Sequence, residues 1–296
     1  MFAEPNRQVP TWTRRTCLVK ETSKPDRRDS PKPRSNRLRD KEFTLYGWNA
    51  CMSFFEKRPQ DLLRLLFSKE RTSGLAKIKD YCRTRKLPYR LLETEDLNKV
   101  ASSVHHEGVV MVVSPMEEKS TYSLLKKGVP KDGIFIALDQ IENTHNIGAI
   151  LRTGAFFGSS GMIISPVDKQ ALVTSSAARM AEGGLELVPL FECSDISSFL
   201  RDVKNQKTFV MGADPNATQS IYDVNVPFPC IVVLGNEGKG LSKRVKNRCD
   251  KLVKIPGAGT MQSLNVSVGA GVILAELSRR RAIAKKKSNK DKKNLK

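Results

Sequence analysis

No part of the sequence approaches the roughly 18 consecutive apolar residues that a membrane-spanning helix needs, so we expect no such helix. The N-terminal stretch MFAEPNRQVPTWTRRTCLVK has no apolar segment, and we therefore expect no secretory signal. Aromatic residues make up only 6% of the 296 residues, which predicts a core of valine, isoleucine, leucine and alanine. The length is typical of about two domains.

Metal-binding spacings are also missing. None of the six cysteines lies in a C-x-x-C pair, and the three histidines do not complete a zinc pattern. We therefore expect no metal, and we interpret the cysteines as reduced thiols of a cytoplasmic protein. Neither the P-loop G-x-x-x-x-G-K-[ST] nor the dinucleotide-binding G-x-G-x-x-G occurs, which argues against an NAD enzyme.

Positive charge is present in excess, with a formal net charge of +20. Residues 1–42 carry twelve Lys/Arg and six Asp/Glu, a net of +6, and residues 279–296 carry ten Lys/Arg and one Asp, a net of +9. Flexible basic arms attract phosphate groups irrespective of sequence, which favours a nucleic acid as the partner. The alternative is that these ends only solubilise or localise the protein.

The composition divides the chain into five segments. Residues 1–42 are rich in proline and charge, which predicts a disordered basic arm. Residues 43–115 alternate short apolar runs with helical patterns and predict a small α/β domain. Residues 116–132 read as a polar linker, residues 133–281 as a second α/β domain, and residues 282–296 as a basic tail.

In the first domain we expect strands at DLLRLLFS, PYRLL and GVVMVVSP. Helices are expected over residues 49–55, over GLAKIKDYCRTRK, and over TEDLNKVA with Thr94 as its cap. In the second domain, strands are expected at GIFIALD, GMIIS, LELVPLFE, TFVMGA, PCIVVLGN and KLVKIPG, and helices over residues 147–157, 174–181 and 196–205 and from about residue 264. Such near-continuous aliphatic strands predict a parallel sheet covered on both faces, whose ligands bind at the carboxyl ends of the strands.

The loop after the first strand of the second domain leads into NTHNIGAILRTGAFFGSSG. Arg152 is the only permanently charged side chain between Glu142 and Asp168. It is either a structural arginine paired with a carboxylate or a cation that faces a cleft, presented by a helix that Asn146 helps to begin.

Two further loops combine glycine with polar residues after predicted strands. VVLGNEGKGLS bends through three glycines with Glu237 at its tip, and it is either an ordinary glycine-rich turn or a ligand loop. IPGAGTMQSLNVSVGAG precedes a helix that Ser263 or Asn265 begins. Small residues on one side of that helix allow close packing, within the domain or against a second subunit.

Together and in this order, the three loops resemble the signature motifs of the SpoU/TrmH family of RNA ribose 2′-O-methyltransferases, in the SPOUT superfamily. The resemblance runs from about Ile134 to Arg281. The upstream LYGWNACMSFF and HHEGVVMVV look similar to the small ribosomal-protein-like RNA-binding domain that some members carry.

The resemblance implies a trefoil knot that holds S-adenosyl-L-methionine, and a homodimer that completes the site. It implies that cofactor contacts come mostly from backbone groups, and it implies a set of catalytic residues. The implied cofactor residues are Gly235, Ile255 and Leu264, with Gly212 and Asn236 as further candidates, and the implied catalytic residues are Arg152, Asn146, Glu237, Ser263 and Asn265.

The implied reaction moves a methyl group from a sulfonium to a ribose 2′-hydroxyl, which is a poor nucleophile until its oxyanion is stabilised. The family's usual account makes the arginine a base, but a guanidinium stays protonated in nearly every protein setting. We therefore expect Arg152 to stabilise the developing oxyanion or to hold the adjacent phosphate, with Glu237 orienting it across the site.

The leading hypothesis is thus a methyltransferase acting on structured RNA, either ribosomal or transfer RNA. The alternative is a knotted RNA-binding protein that has lost methyl transfer and acts in ribosome assembly. Gly257 weakly favours this alternative, because many family members have a larger apolar residue at that position. His105 and His106 could hold a metal, act as a base or contact RNA, but a turn at a strand edge is the favoured interpretation.

Overall fold

The computed structural model describes residues 42–117, 119–172, 174–259 and 261–294. Apart from Glu42, the predicted basic arm lies outside these residues. Residues 39–296 form one compact unit, so the two sheets of the chain are packed together. No helix in the described part is both long and apolar enough to cross a membrane.

The N-terminal sheet has four strands in the order β1-β4-β2-β3, in which β4 is antiparallel to both neighbours. Leu75, Ile78 and Cys82 pack beneath one face, and Leu97 and Ala101 beneath the other. The elements are β1 (Phe43–Tyr46), α1 (Trp48–Lys57), β2 (Leu62–Phe67), α2 (Ala76–Arg85), β3 (Tyr89–Leu91), α3 (Thr94–Ala101) and β4 (Val109–Val113).

The second sheet has eight strands in the order β10-β12-β9-β11-β6-β7-β8-β5. Every pairing in it is parallel, which confirms the predicted parallel sheet. Its strands are β5 (Lys119–Ser120), β6 (Ile134–Asp139), β7 (Gly161–Ile164), β8 (Leu190–Glu192), β9 (Phe209–Ala213), β10 (Gln219–Ser220), β11 (Cys230–Gly235) and β12 (Lys251–Lys254).

Helices cover both faces of this sheet. Alternate residues of β6 point to opposite sides: Ile134 and Ile136 pack with α5 and α11, whereas Phe135 and Ala137 pack with α9 and α10. The helices are α4 (Thr121–Lys127), α5 (Thr144–Phe156), α6 (Pro166–Leu172), α7 (Ser175–Met180), α8 (Gly184–Leu187), α9 (Ile196–Lys204), α10 (Lys243–Lys246) and α11 (Val266–Asn294).

Several boundaries differ from those expected. Residues 116–132, predicted as a linker, contain α4 and β5, and β5 pairs with β8 at the edge of the second sheet. Only the last three residues of LELVPLFE form a strand, because Gly183 starts the short helix α8 ahead of Pro189. The predicted basic tail, residues 282–296, continues α11 as far as Asn294.

Two capping predictions are also wrong. Thr94 is the first residue of α3, and Glu93 precedes it without a capping side-chain bond. Asn146 does not begin α5, because Asn143 caps this helix and Asn146 lies in its first turn. The trefoil knot stays a prediction, because strand order and register do not trace one segment through the loop of another.

Candidate active site

The candidate site lies where β6 and β11 end side by side. Asp139 of β6 stands opposite Gly235 of β11 in the parallel register. Within the sheet, β7 and β8 follow beyond β6 in one direction, and β9 and β12 follow beyond β11 in the other. A crevice opens between β6 and β11, where the strand order reverses. Asp139 Oδ2 accepts a hydrogen bond from the Ser242 N–H at 2.7 Å, which holds the loop after β11 against β6.

Asn143 sets the geometry of the first loop. Its side-chain oxygen accepts hydrogen bonds from the N–H groups of His145 at 2.9 Å and Asn146 at 3.4 Å. Such a cap satisfies backbone donors that a helix leaves free at its start. Asn146 is consequently held in the first turn of α5 with a buried side chain.

The Asn146 amide joins residues from all three loops. Its Nδ2 donates a hydrogen bond to Glu237 Oε1, and its Oδ1 accepts one from Asn265 Nδ2 at 3.1 Å. Because donor and acceptor are both engaged, the orientation of this amide is fixed. We call these residues the Asn146–Glu237–Asn265 cluster, which the chain assembles from positions 91 and 119 residues away from Asn146.

The loop after β11 folds back on itself and presents Glu237 at its exposed tip. Asn236 Oδ1 accepts hydrogen bonds from the N–H groups of Gly238 at 2.9 Å and Lys239 at 3.2 Å, and its Nδ2 donates to Gln140 O at 2.9 Å. A Cβ atom on Gly235 would lie 2.6 Å from the carbonyl oxygen of Gly240. Only glycine therefore permits this return of the chain beside the end of β11.

The third loop brings Asn265 to the cluster. Asn265 Oδ1 accepts hydrogen bonds from the backbone N–H of Ser267 at 2.9 Å and from its hydroxyl at 2.6 Å, so Asn265 also caps α11. Ile255 packs against the core beside this helix, whereas Leu264 is exposed. Ser263, also predicted as a catalytic residue, is exposed and forms no hydrogen bond with the described residues.

Arg152 stands apart from the cluster. It lies six residues beyond Asn146, which is about 9 Å along α5. Its Nη1 forms an ion pair with Glu182 Oε1 at 2.9 Å, and its side chain is 57% exposed. Within one chain Arg152 and Glu237 have different partners, and the expected orientation of Arg152 by Glu237 stays a prediction.

Gly212 has a packing explanation. It lies within β9, and a Cβ atom there would come within 2.9 Å of Leu252, Leu241 and Cys249 side-chain atoms. The sheet therefore requires glycine at this position so that three apolar side chains can pack against it. Its membership of a cofactor site stays a prediction.

His106 is a buried structural residue. Its Nδ1 accepts a hydrogen bond from the Gly108 N–H at 3.0 Å, which places the proton on Nε2, and Nε2 donates to Asn98 Oδ1 at 3.0 Å. Burial lowers the pKa of this imidazole below 6.5. No group of three or more metal-ligating side chains lies together in the described part of the chain.

Three residues that shape the site were not predicted from the sequence: Asn143, Asp139 and Glu182. Asn143 had a signal, since asparagine directly before a helical pattern is typical of a cap. Asp139 was visible as a carboxylate at the end of a buried strand. Glu182 precedes two glycines in MAEGGLELV, a pattern that indicates a turn but not its ion pair with Arg152.

Two family descriptions match this chain. The "SpoU rRNA Methylase family" matches residues 133–275, and "RNA 2'-O ribose methyltransferase substrate binding" matches residues 44–119. The 23S rRNA (guanosine-2'-O-)-methyltransferase RlmB of Haemophilus influenzae is 33% identical over 240 residues, which cover 80% of this chain and 97% of that protein. RlmB of Neisseria meningitidis is 27% identical over 244 residues, covering 82% and 97%.

Solved structures with a similar fold include the SpoU methyltransferase AviRb of Streptomyces viridochromogenes, crystallised in complex with the cofactor AdoMet. The two structures superpose with a TM-score of 0.68 and 24% sequence identity, over 84% of this chain and 95% of AviRb. A TrmH-family structure from Porphyromonas gingivalis gives a TM-score of 0.66 at 23% identity, over 82% of this chain and 92% of that one. This likeness confirms the predicted α/β fold class.

Proposed function

Because the chain belongs to the SpoU rRNA methylase family, we propose that it transfers a methyl group from S-adenosylmethionine to a ribose 2′-hydroxyl of ribosomal RNA. The two family matches together span most of residues 44–275, and the RlmB relatives are matched over nearly their whole length. The resemblance inferred from the three loops is thereby confirmed. We keep residues 43–115 and 133–281 as the proposed limits of the substrate-binding and methyltransferase domains, and a cytoplasmic location as a prediction.

The observation that carries the proposal is the Asn146–Glu237–Asn265 cluster. It joins the start of α5, the loop after β11 and the start of α11 at the carboxyl edge of a parallel sheet. Three separated stretches with unrelated backbone paths converge on one amide. A purely structural chain has no need to gather a carboxylate and two amides at an exposed crevice.

The loops beside the cluster fit the cofactor. Between Pro256 and Leu264, none of the described residues hydrogen-bonds to another group of the chain, so their backbone groups are free to bind a ligand. Nothing lies within 4 Å of the Cβ positions of Gly257 and Gly259, so these residues border open space. Adenine and a methionine chain suit such a surface of backbone donors, backbone acceptors and apolar side chains.

When bound, S-adenosylmethionine supplies a methyl group activated by a positively charged sulfur. The chain's own residues then hold the acceptor. Glu237 has one carboxylate oxygen engaged by Asn146, and the other can accept a hydrogen bond from a ribose hydroxyl. Asn265 couples this carboxylate to the start of α11 through Asn146, which keeps the two cofactor-facing loops in one arrangement.

We assign Arg152 the stabilisation of the developing ribose oxyanion or of the adjacent phosphate, through charge and hydrogen bonding. Within one chain its guanidinium pairs with Glu182, and it forms no hydrogen bond or ion pair with the cluster. A second subunit resolves this separation if its Arg152 reaches the cluster of the first. We therefore propose a homodimer whose two sites are shared.

The exposed faces of α5 and α11 support this dimer. Phe156 is 83% exposed and Val268 is 53% exposed, on helices that pack side by side. A Cβ atom on Gly271 would lie 3.8 Å from Thr153, so the two helices are in contact between these positions. Large apolar side chains exposed on two packed helices are typical of an interface.

Basic side chains supply a second contact surface for RNA. A groove between α9 and α10 is lined by Arg201, Arg244 and Arg248, by serine and asparagine side chains, and by one carboxylate, that of Asp195. Guanidinium groups bind phosphate in a two-pronged geometry, so this groove suits an RNA backbone.

The function is tested by radiolabelled methyl transfer to ribosomal RNA that lacks the modification, followed by mapping of the 2′-O-methylated nucleotide. We expect the parent protein to transfer the label, and Asn146→Ala and Arg152→Ala to bind S-adenosylmethionine in calorimetry yet to transfer it at least about a hundredfold more slowly. If the parent protein neither binds S-adenosylmethionine nor transfers the label to the RNA, the methyltransferase assignment is refuted in favour of the catalytically silent RNA-binding alternative.

The shared site is tested by mixing subunits. Arg152→Ala and Glu237→Ala proteins are each expected to be inactive, whereas co-expression of both should restore about a quarter of the parental activity, since half of the dimers then carry one intact site. Phe156→Asp should give a folded monomer in sedimentation analysis. A parental dimer with inactive mixtures would mean that the site is not shared.

A further inference from the structure

The turn between α7 and α8 has a left-handed backbone at two successive positions. The φ angle is +44° at Glu182 and +91° at Gly183. This conformation is disfavoured for a residue that carries a Cβ atom, and it persists only where the surrounding structure enforces it. Glu182 adopts this conformation nevertheless, so contacts around the turn must hold it in place.

The turn is clamped between α1 and α5. On one side, a Cβ atom on Gly183 would lie 2.5 Å from Ser53 Cβ, and the Ser53 hydroxyl donates a hydrogen bond to Gly183 O at 3.3 Å. On the other side, a Cβ atom on Gly184 would lie 3.1 Å from Arg152 Cα. Gly184 therefore contacts the backbone of Arg152, and Gly183 contacts helix α1 of the substrate-binding segment.

The Glu182 carboxylate is engaged by both neighbours. Its Oε1 pairs with Arg152 Nη1 at 2.9 Å, and its Oε2 accepts a hydrogen bond from Asn49 Nδ2 at 3.3 Å. Both side chains of the ion pair are more than a third exposed, so the pair contributes little to folding stability. Its consequence is geometric: the carboxylate, held by Asn49 at one oxygen, places one terminal nitrogen of Arg152, while the other N–H groups of Arg152 form no hydrogen bond with the described residues.

We propose that Glu182 is a positioning residue that aims the Arg152 guanidinium, and that Asn49 of α1 holds Glu182 in place. The inference rests on the role proposed above for Arg152. Residues 44–119 match the substrate-binding family description, so the domain that binds RNA also anchors the carboxylate that orients the catalytic arginine. The placement of the substrate-binding domain on α7 and α8 is thereby linked to the rate of methyl transfer.

The test compares steady-state methyl transfer by Glu182→Gln, Asn49→Ala and a control, Glu192→Gln. Glu192 is a suitable control because it forms an ion pair with Lys169 at 3.0 Å at similar exposure, away from Arg152. We expect Glu182→Gln to lower kcat at least about tenfold, since small misplacements of a catalytic group are costly. Asn49→Ala should lower kcat by about threefold through loss of one hydrogen bond, and Glu192→Gln should match the parent.

The kinetic pattern distinguishes a positioning role of Glu182 from a merely structural one. If Glu182 positions Arg152, Glu182→Gln lowers kcat, while the KM values for RNA and S-adenosylmethionine and the urea midpoint stay at their parental values. A lower urea midpoint or a raised KM that accounts for the loss overturns the proposal, as does a kcat for Glu182→Gln equal to that of Glu192→Gln. Arg152→Ala distinguishes a failure of the role proposed for Arg152 from a failure of its positioning by Glu182. Full activity of Arg152→Ala would refute the role of Arg152 itself. An inactive Arg152→Ala with a fully active Glu182→Gln would refute only the positioning by Glu182.

Discussion

Gly148 in α5 gives a sharp test of how closely α7 packs beneath the site. A Cβ atom on Gly148 would lie 2.6 Å from both the Ala177 carbonyl oxygen and Met180 Cβ. Normal contact requires about 1 Å more than this, so Gly148→Ala must push α7 away from α5. Overpacking of this kind costs about 1–3 kcal/mol, and replacing a helical glycine returns about 1 kcal/mol. We expect a net loss of up to about 2 kcal/mol of unfolding free energy.

Gly269→Ala in α11 is the matched control. Its Cβ atom would find only Ile255 Cδ1, at 3.7 Å, so the helix-propensity gain of about 0.5–1 kcal/mol should appear unopposed. Urea unfolding followed by circular dichroism measures both variants, with the m value checked for a constant unfolding transition. If Gly148→Ala is stabilised as much as Gly269→Ala, the close α5–α7 packing described here is incorrect.

Three further stability predictions follow from charged and titrating groups. Arg58→Met should cost about 3–5 kcal/mol, because it strands the Glu186 carboxylate, whose side chain is only 3% exposed, and adding Glu186→Gln should recover part of this loss. Because burial lowers the pKa of His106, the unfolded state binds more protons just below pH 6.5, so stability falls as the pH drops through that window, and His106→Asn should flatten this part of the profile. Pairing with Arg279 lowers the pKa of Glu276 to about 2, so its stabilisation is complete above pH 4.5 and is lost between pH 4.5 and 2; Glu276→Gln should show no loss of this kind in urea titrations at each pH.

The central strands were predictable because both of their faces are buried. β6 and β11 each carry five consecutive buried apolar residues, a pattern that predicts a strand whichever strands lie beside it. β1 was missed because FTLY is short and lies at an edge, where a period of two residues is barely visible. The helices α6 and α10 were missed for a similar reason, since seven and four residues give too few turns for a helical period.

The sequence predicted which residues belong to the candidate site better than it predicted which side chains contact each other. The resemblance supplied Asn146, Glu237 and Asn265, and these three side chains do lie together. It could not supply the partner of Arg152, because Glu182 comes from a turn whose position depends on packing against α1. Side-chain pairing across separated segments is a property of tertiary structure, which no local pattern in the sequence encodes.

The uninterrupted helix α11 has one more consequence. It begins beside Asn265 and runs for 29 residues, or about 43 Å. Arg281 donates hydrogen bonds to the carbonyl groups of Phe157 and Gly158, and Lys285 pairs with Asp132, so the helix is anchored to the body of the protein as far as Lys285. The twenty residues from Asn265 to Lys285 place Lys285 about 30 Å from the cluster along the helix axis. An RNA that contacts both must therefore span that distance.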